Sequence, residues 1–294
     1  MPKLRWSARG WAWASLLANT IIIVTGGLVR LTASGLGCPT WPRCTDASFV
    51  PHAALGWHGA IEFGNRMLTY VLIVVAIGTF IAIWRWEHTS MFARRLAFAM
   101  GIGIPFQGVV GGITVLTDLN PWVVSLHMVL SMALVVAATV LLTHVLDTEA
   151  VNRGRRPAIY DTDTLSRRLI WGAYVVVLAA IYLGTVVTGS GPHAGDLDAP
   201  RNGLDPVDWS HFHAWTVWLF LALILVILVR TRLLAALAVL GVALAQGLIG
   251  YVQYFHDLPI TLVAAHVLGS AVLLAVATRL VLVTRSALPT STTS

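Results

Sequence analysis

A carboxylate, a carboxamide and a guanidinium crowd together in Glu62-Phe63-Gly64-Asn65-Arg66, at the mouth of an apolar run that continues to Trp84. Ionisable groups at that depth in a membrane are costly unless paired or at work. Glu62 could shuttle a proton or stabilise developing positive charge. Equally, Glu62 and Arg66 stand at i and i+4, the spacing of a structural ion pair. Among the 10 histidines, His127, His213 and His266 lie inside other apolar runs, roughly 8 Å from their outer ends at 1.5 Å per residue. An imidazole there is either a hydrogen-bonded structural group or a ligand. His213 and His266 could face one another across a helical bundle as an axial pair for a haem iron. Zinc would need a third donor at comparable depth, which that part of the chain lacks. His211, two residues from His213, points to another helix face and is a fallback ligand. His88 and His144 fall at the opposite ends of their helices and read as solvated.

The elements that must position these groups are membrane helices. Of 294 residues, 57% are hydrophobic and 11% charged, outside the range of soluble domains. Apolar runs near 11–29, 61–84, 95–116, 122–145, 169–188, 209–229, 233–254 and 261–283 each have the length of about 20 residues that crosses a hydrocarbon core. A membrane barrel would show short alternating segments instead. The first run is longer than a signal-peptide core and no small-x-small site follows it, so it is expected to remain as the first helix. Lys3, Arg5, Arg9, Arg85, Arg94, Arg95, Arg153, Arg155, Arg156, Arg167, Arg168, Arg230, Arg232, Arg279 and Arg285 fall on one side, against Arg30, Arg43, Arg66 and Arg201 on the other. The positive-inside rule puts both termini in the cytoplasm. Trp41, Trp57, Trp122 and Trp209 mark the outer helix ends. No basic stripe with interleaved aromatics points to nucleic acid.

The chain repeats itself. QGVVGGITVLTDLNPWVVSLHMVLS (107–131) aligns without a gap on QGLIGYVQYFHDLPITLVAAHVLGS (246–270), matching Gln107 with Gln246, Asp118 with Asp257, His127 with His266 and Ser131 with Ser270. The expected fold is all-α, eight transmembrane helices in two tandem four-helix bundles, 1–150 and 151–294. Each half holds an even number of spans, so a pseudo-twofold along the membrane normal would relate them. On helix two the E-x-x-N pattern of Glu62 and Asn65 stands against Ser210-x-x-His213 on helix six, so Asn65 takes the place of His213. Carboxamide is a poor haem ligand, so a haem in the first half would have His127 on one side and an open face on the other, unless His58 fills it. The cysteines, Cys38 and Cys44, lie in the outer loop TASGLGCPTWPRCTD, where a disulfide persists. A structural bridge and a redox-active pair both remain open. The matching loop TGSGPHAGDLD offers Ser190, His193 and Asp196 beside flexible glycines, suited to lid a cofactor or to a plain turn.

Together GGLVRLTASGLGCPTWPRC, IEFGNR, TGSGPHAGD and the intramembrane histidines on helices four, six and eight resemble the haem A synthase family over nearly the whole chain. The resemblance implies an enzyme that oxidises a methyl group of haem O to a formyl, giving haem A for the terminal oxidase by two hydroxylations and a dehydration. It implies haem b in the second half on His213 and His266, haem O as substrate in the first half with Glu62 and His127 beside it, and an outer disulfide between Cys38 and Cys44. Asn65 departs from the family pattern, which commonly has histidine there. A farnesyltransferase making haem O and oxidase-assembly proteins are expected partners by resemblance, in the plasma membrane; no electron donor is named. Against this stand a cytochrome b-type electron carrier, using the same histidines without Glu62, and a transporter of haem-like amphiphiles.

Overall fold

The computed structural model describes residues 7–155 and 159–284; Lys3, Arg5, Arg156 and Arg285 lie outside them. Among the described residues it is all-helical: α1 (Ala8–Leu31), α2 (Gly56–Trp84), α3 (Met91–Leu116), α4 (Pro121–Asn152), α5 (Thr164–Ser190), α6 (Pro206–Thr231), α7 (Leu234–Phe255) and α8 (Ile260–Val283). All eight are long and apolar enough to cross a membrane, as backbone in hydrocarbon requires. The chain is a multi-pass membrane protein.

Helices outrun the apolar stretches where polar residues can still bond along the helix. α4 continues past the expected division at 150, held at its end by an ion pair of 2.9 Å from Arg153 to Glu149. α2 begins at Gly56, earlier than the apolar run, after a short 3-10 turn over Ala53–Leu55. Side-chain caps close the starts: Ser7 accepts from the Gly10 amide, Ser90 from Ala93, Asn120 from Trp122, Asp163 from Ser166 and Asp205 from Val207 and Asp208, satisfying amides that a helix leaves orphaned. The hairpins that end α3 and α7 share one device. Asp118 and Leu119 turn left-handed (φ 50° and 57°), as do Asp257 and Leu258 (56° and 54°). The Leu119 amide then donates to Thr114 O at 2.8 Å and the Leu258 amide to Gln253 O at 2.9 Å.

Between helices in lipid the hydrophobic effect offers little, and close approach through small residues does the packing. Gly78 of α2 receives the Trp11 ring of α1, Gly103 of α3 the Leu134 side chain of α4, and Gly27 of α1 the Val267 side chain of α8. One core joins Ala12, Ile83, Ala97 and Leu141 from the first four helices. The other joins Val177, Ile224, Val239 and Leu274 but also takes Ile23 from α1 and Met132 and Val135 from α4. The halves therefore share a core instead of standing as two closed bundles.

Candidate functional site

In the second half, α6 and α8 bring His213 and His266 together with ring centroids 6.4 Å apart and planes at 76°. His213 Nδ1–H donates to the Ala180 carbonyl of α5 at 2.9 Å. That bond fixes the tautomer and leaves Nε2 free, the usual arrangement of a metal-ligating histidine. His266 Nδ1 is buried with no hydrogen-bond partner. Each ring is backed by a glycine: a Cβ on Gly184 would sit 3.5 Å from His213 Cε1, and one on Gly250 3.1 Å from His266 Cε1. The separation suits one metal. At metal–nitrogen bonds of about 2 Å, two imidazoles at this separation could both reach one metal. Among the described residues no three His, Cys, Asp or Glu gather into a metal cluster, so this is a two-imidazole donor set of the kind haem iron uses.

In the first half, His127 and Asn65 are also set against glycines. His127 of α4 lies against Gly111, 3.3 Å from where a Cβ would be, and its Nδ1 has no partner. Its backbone carbonyl accepts from Gln107 Nε2, which also donates to Ser131 Oγ at 2.8 Å. Asn65 Nδ2 lies beside Gly26 of α1, and Asn65 Oδ1 is buried with no partner. An unsatisfied buried polar atom costs about 1–3 kcal/mol; a bound ligand could relieve both residues.

Glu62 is 5% exposed and faces the loop between α1 and α2. Its Oε2 accepts the Cys38 amide at 2.5 Å, and its Oε1 accepts Arg66 Nε at 3.1 Å and Nη2 at 2.5 Å. Arg66 also donates to Cys38 O at 2.9 Å and to Arg43 O at 3.1 Å. The ion pair that the i,i+4 spacing allows is thus formed, and the same two side chains clamp the loop that carries the Cys38–Cys44 disulfide. Trp41 of that loop packs its indole on Gly112 of α3, next to the glycine that backs His127. The loop lids the first half.

Other candidates go elsewhere. His58 bonds Ser34 Oγ through Nδ1 at 3.0 Å and lines a cavity of about 340 Å³ with Leu36, Asp196 and Asp198. His211 is exposed and stacked on Trp215. In the Gly-rich loop Ser190 donates to Val187 O and Asp196 accepts the Asp198 amide, while His193 Nε2–H donates to Leu258 O at 2.9 Å. His144 meets Ser90 Oγ through Nε2 at 2.9 Å. The glycines behind the rings went unnoticed in sequence, although Gly111 and Gly250 are separated as His127 and His266 are.

Eight membrane helices, a facing intramembrane imidazole pair and a buried carboxylate under a disulfide loop define a multi-pass membrane protein. Residues 9–61 and 58–278 match the family described as Cytochrome oxidase assembly protein, COX15-CtaA, and the chain belongs to that family. It is 30% identical over 247 residues to the Heme A synthase of Alkalihalophilus pseudofirmus, covering 77% of this chain and 80% of that protein. The Heme A synthase of Halalkalibacterium halodurans is 29% identical over 226 residues, 73% of each chain. That of Bacillus licheniformis is 26% identical over 214 residues, 70% of this chain and 67% of the relative.

Proposed function

We propose that this chain is a haem A synthase, an oxidoreductase that converts one methyl group of haem O into the formyl group of haem A. The first half (1–150) receives haem O, and the second half (151–294) holds a haem b on His213 and His266. One observation carries the division of labour: an imidazole pair faces across the second half, while the first offers His127, the carboxamide of Asn65 and a buried carboxylate. Family membership and the names of the relatives support the reaction.

Two successive hydroxylations each insert one oxygen atom into a methyl C–H bond. With dioxygen as oxidant, each uses one O2, two electrons and two protons and releases one water. The resulting gem-diol loses a further water to leave the aldehyde. Bound haem b supplies electrons singly. The chain's own groups do the rest. His213, its Nδ1 fixed on Ala180, and His266 hold the cofactor. His127 holds the substrate from one side, and Asn65 leaves the other side without a strong ligand. Glu62, oriented by Cys38 and Arg66, accepts a proton or offsets positive charge at the carbon being oxidised. The Cys38–Cys44 loop with Trp41 covers the site against water. On the charge asymmetry both termini are cytoplasmic and this loop lies on the outer face. A farnesyltransferase making haem O and oxidase-assembly proteins are the partners this reading expects.

Pyridine haemochrome analysis of the purified protein tests the reading. Haem b together with haem O or A is expected; haem b alone points to an electron carrier, and no haem to a transporter. Glu62→Gln should keep the haem b spectrum and abolish haem A formation, and normal conversion in that variant removes Glu62 from the chemistry.

A further inference from the structure

Two cations meet at the junction of the halves. Arg30, in the last turn of α1, donates from Nε to His193 O at 2.6 Å and from Nη2 to Thr188 O at 3.2 Å, crossing from the first half into the loop after α5. Arg201, at the far end of that loop, donates from Nη2 to Pro192 O at 3.3 Å and from Nη1 to Ala199 O. The two guanidiniums thus hang on successive carbonyls, Pro192 and His193, close enough for Arg30 to feel the charge of Arg201. Among the described residues, neither has a carboxylate within ion-pair distance. Like charges held together on neutral carbonyls leave a positive field without a counter-ion, and being uncompensated is costlier for Arg30, the less exposed of the two.

Their position relates them to the imidazole pair. Thr188, which accepts from Arg30, lies one turn outward of Gly184, the residue backing His213. That is about 6 Å along the helix. His193, the other acceptor, is pinned to Leu258 in the turn leading into α8, the helix of His266. The cations therefore crown the outer end of the cleft between the two rings, fixed from α1, α5 and the α7–α8 turn.

We propose that Arg30 and Arg201 form a carboxylate-binding subsite for the propionate edge of the haem held in the second half, an inference that rests on the haem reading given above. Guanidinium is the natural partner, since its fork of donors matches a carboxylate and keeps its charge in a partly dry site. Arg30 has the further consequence of tying the cofactor of one half to a helix of the other.

The test compares haem b with its dimethyl ester, which has the same ring and iron but no propionate charge. Purified protein is loaded with each, and the rate of haem transfer to excess apomyoglobin is followed for wild type, Arg30→Gln and Arg201→Gln. Wild type should lose the ester roughly 10- to 100-fold faster than haem b, the effect of losing one charge-assisted bond. In either variant most of that difference should vanish, while the low-spin spectrum of the His213–His266 pair persists. Should Arg30→Gln not fold, Arg30→Lys and the exposed Arg201→Gln carry the same comparison. Equal loss of both haems from wild type, or undiminished discrimination in the variants, overturns the subsite and leaves the haem reading standing. Failure of wild type to bind either haem overturns both.

Discussion

Asn65 is where one atom group decides what a site can do. It stands in register with His213, beside Gly26 as His213 stands beside Gly184, yet offers an amide oxygen that finds no partner. Asn65→His should restore an imidazole there and add a second low-spin haem signal in the loaded protein, seen by optical or electron paramagnetic resonance spectroscopy. An unchanged spectrum with two haems per chain would show that the first site is already closed on both sides. The difference was visible in sequence because Glu62-x-x-Asn65 could be set against Ser210-x-x-His213. The environment of Glu62 was not: spacing offered Arg66 as its partner, whereas the Cys38 amide comes from a loop whose path no local pattern sets. Arg30 was legible only as one of few outer-side cations. Its bonds run to Thr188 and His193, more than 150 residues away, and such pairing is decided by how helices pack.

Helices are the scale at which the sequence spoke most clearly, since about 20 apolar residues in lipid have little choice but to be a helix. Their ends were less clear, because caps and interfacial turns such as Ala53–Leu55 follow side-chain bonding, not hydropathy. The ring-backing glycines give a graded prediction. In Gly250→Ala the new methyl would lie 3.1 Å from the His266 ring and press it to give by a few tenths of an ångström, whereas in Gly184→Ala the contact of 3.5 Å is ordinary. An off-rotamer ring costs about 0.5–1.5 kcal/mol, so Gly250→Ala should weaken low-spin haem binding several-fold in a titration, with Gly184→Ala near wild type. At the other surface, Asp163 caps α5 and accepts Arg230 Nη2 at 2.9 Å. Bonds from Ser166, and then Arg230, hold its carboxyl below the usual carboxylate range. A depressed folded pKa gives stability that is complete above the unfolded value near 4 and is lost as pH falls through the folded one. Asp163→Asn keeps an acceptor but not the charge, so its thermal midpoint should lie slightly below wild type at neutral pH and converge with it in acid.

Across the whole molecule the two halves depend on each other. Gly27 lets α1 approach Val267 of α8, the neighbour of His266. Gly27→Leu should overpack that contact, costing about 1–3 kcal/mol, lower the unfolding midpoint in detergent, and disturb the second-half haem although the change lies in the first half. The repeat in the sequence announced two units but not how they join, because Ile23, Met132 and Val135 look like any other lipid-facing residues until α5 to α8 are present to cover them. That shared core has a consequence for biogenesis. α4 ends at Asn152 and α8 at Val283; at 5–20 residues per second, the ribosome needs on the order of 10 s to close the gap. During that interval the flanks of α1 and α4 lie against lipid, and the space beside His213 gains its final wall only when α8 arrives, so a haem held there as proposed would load after chain completion.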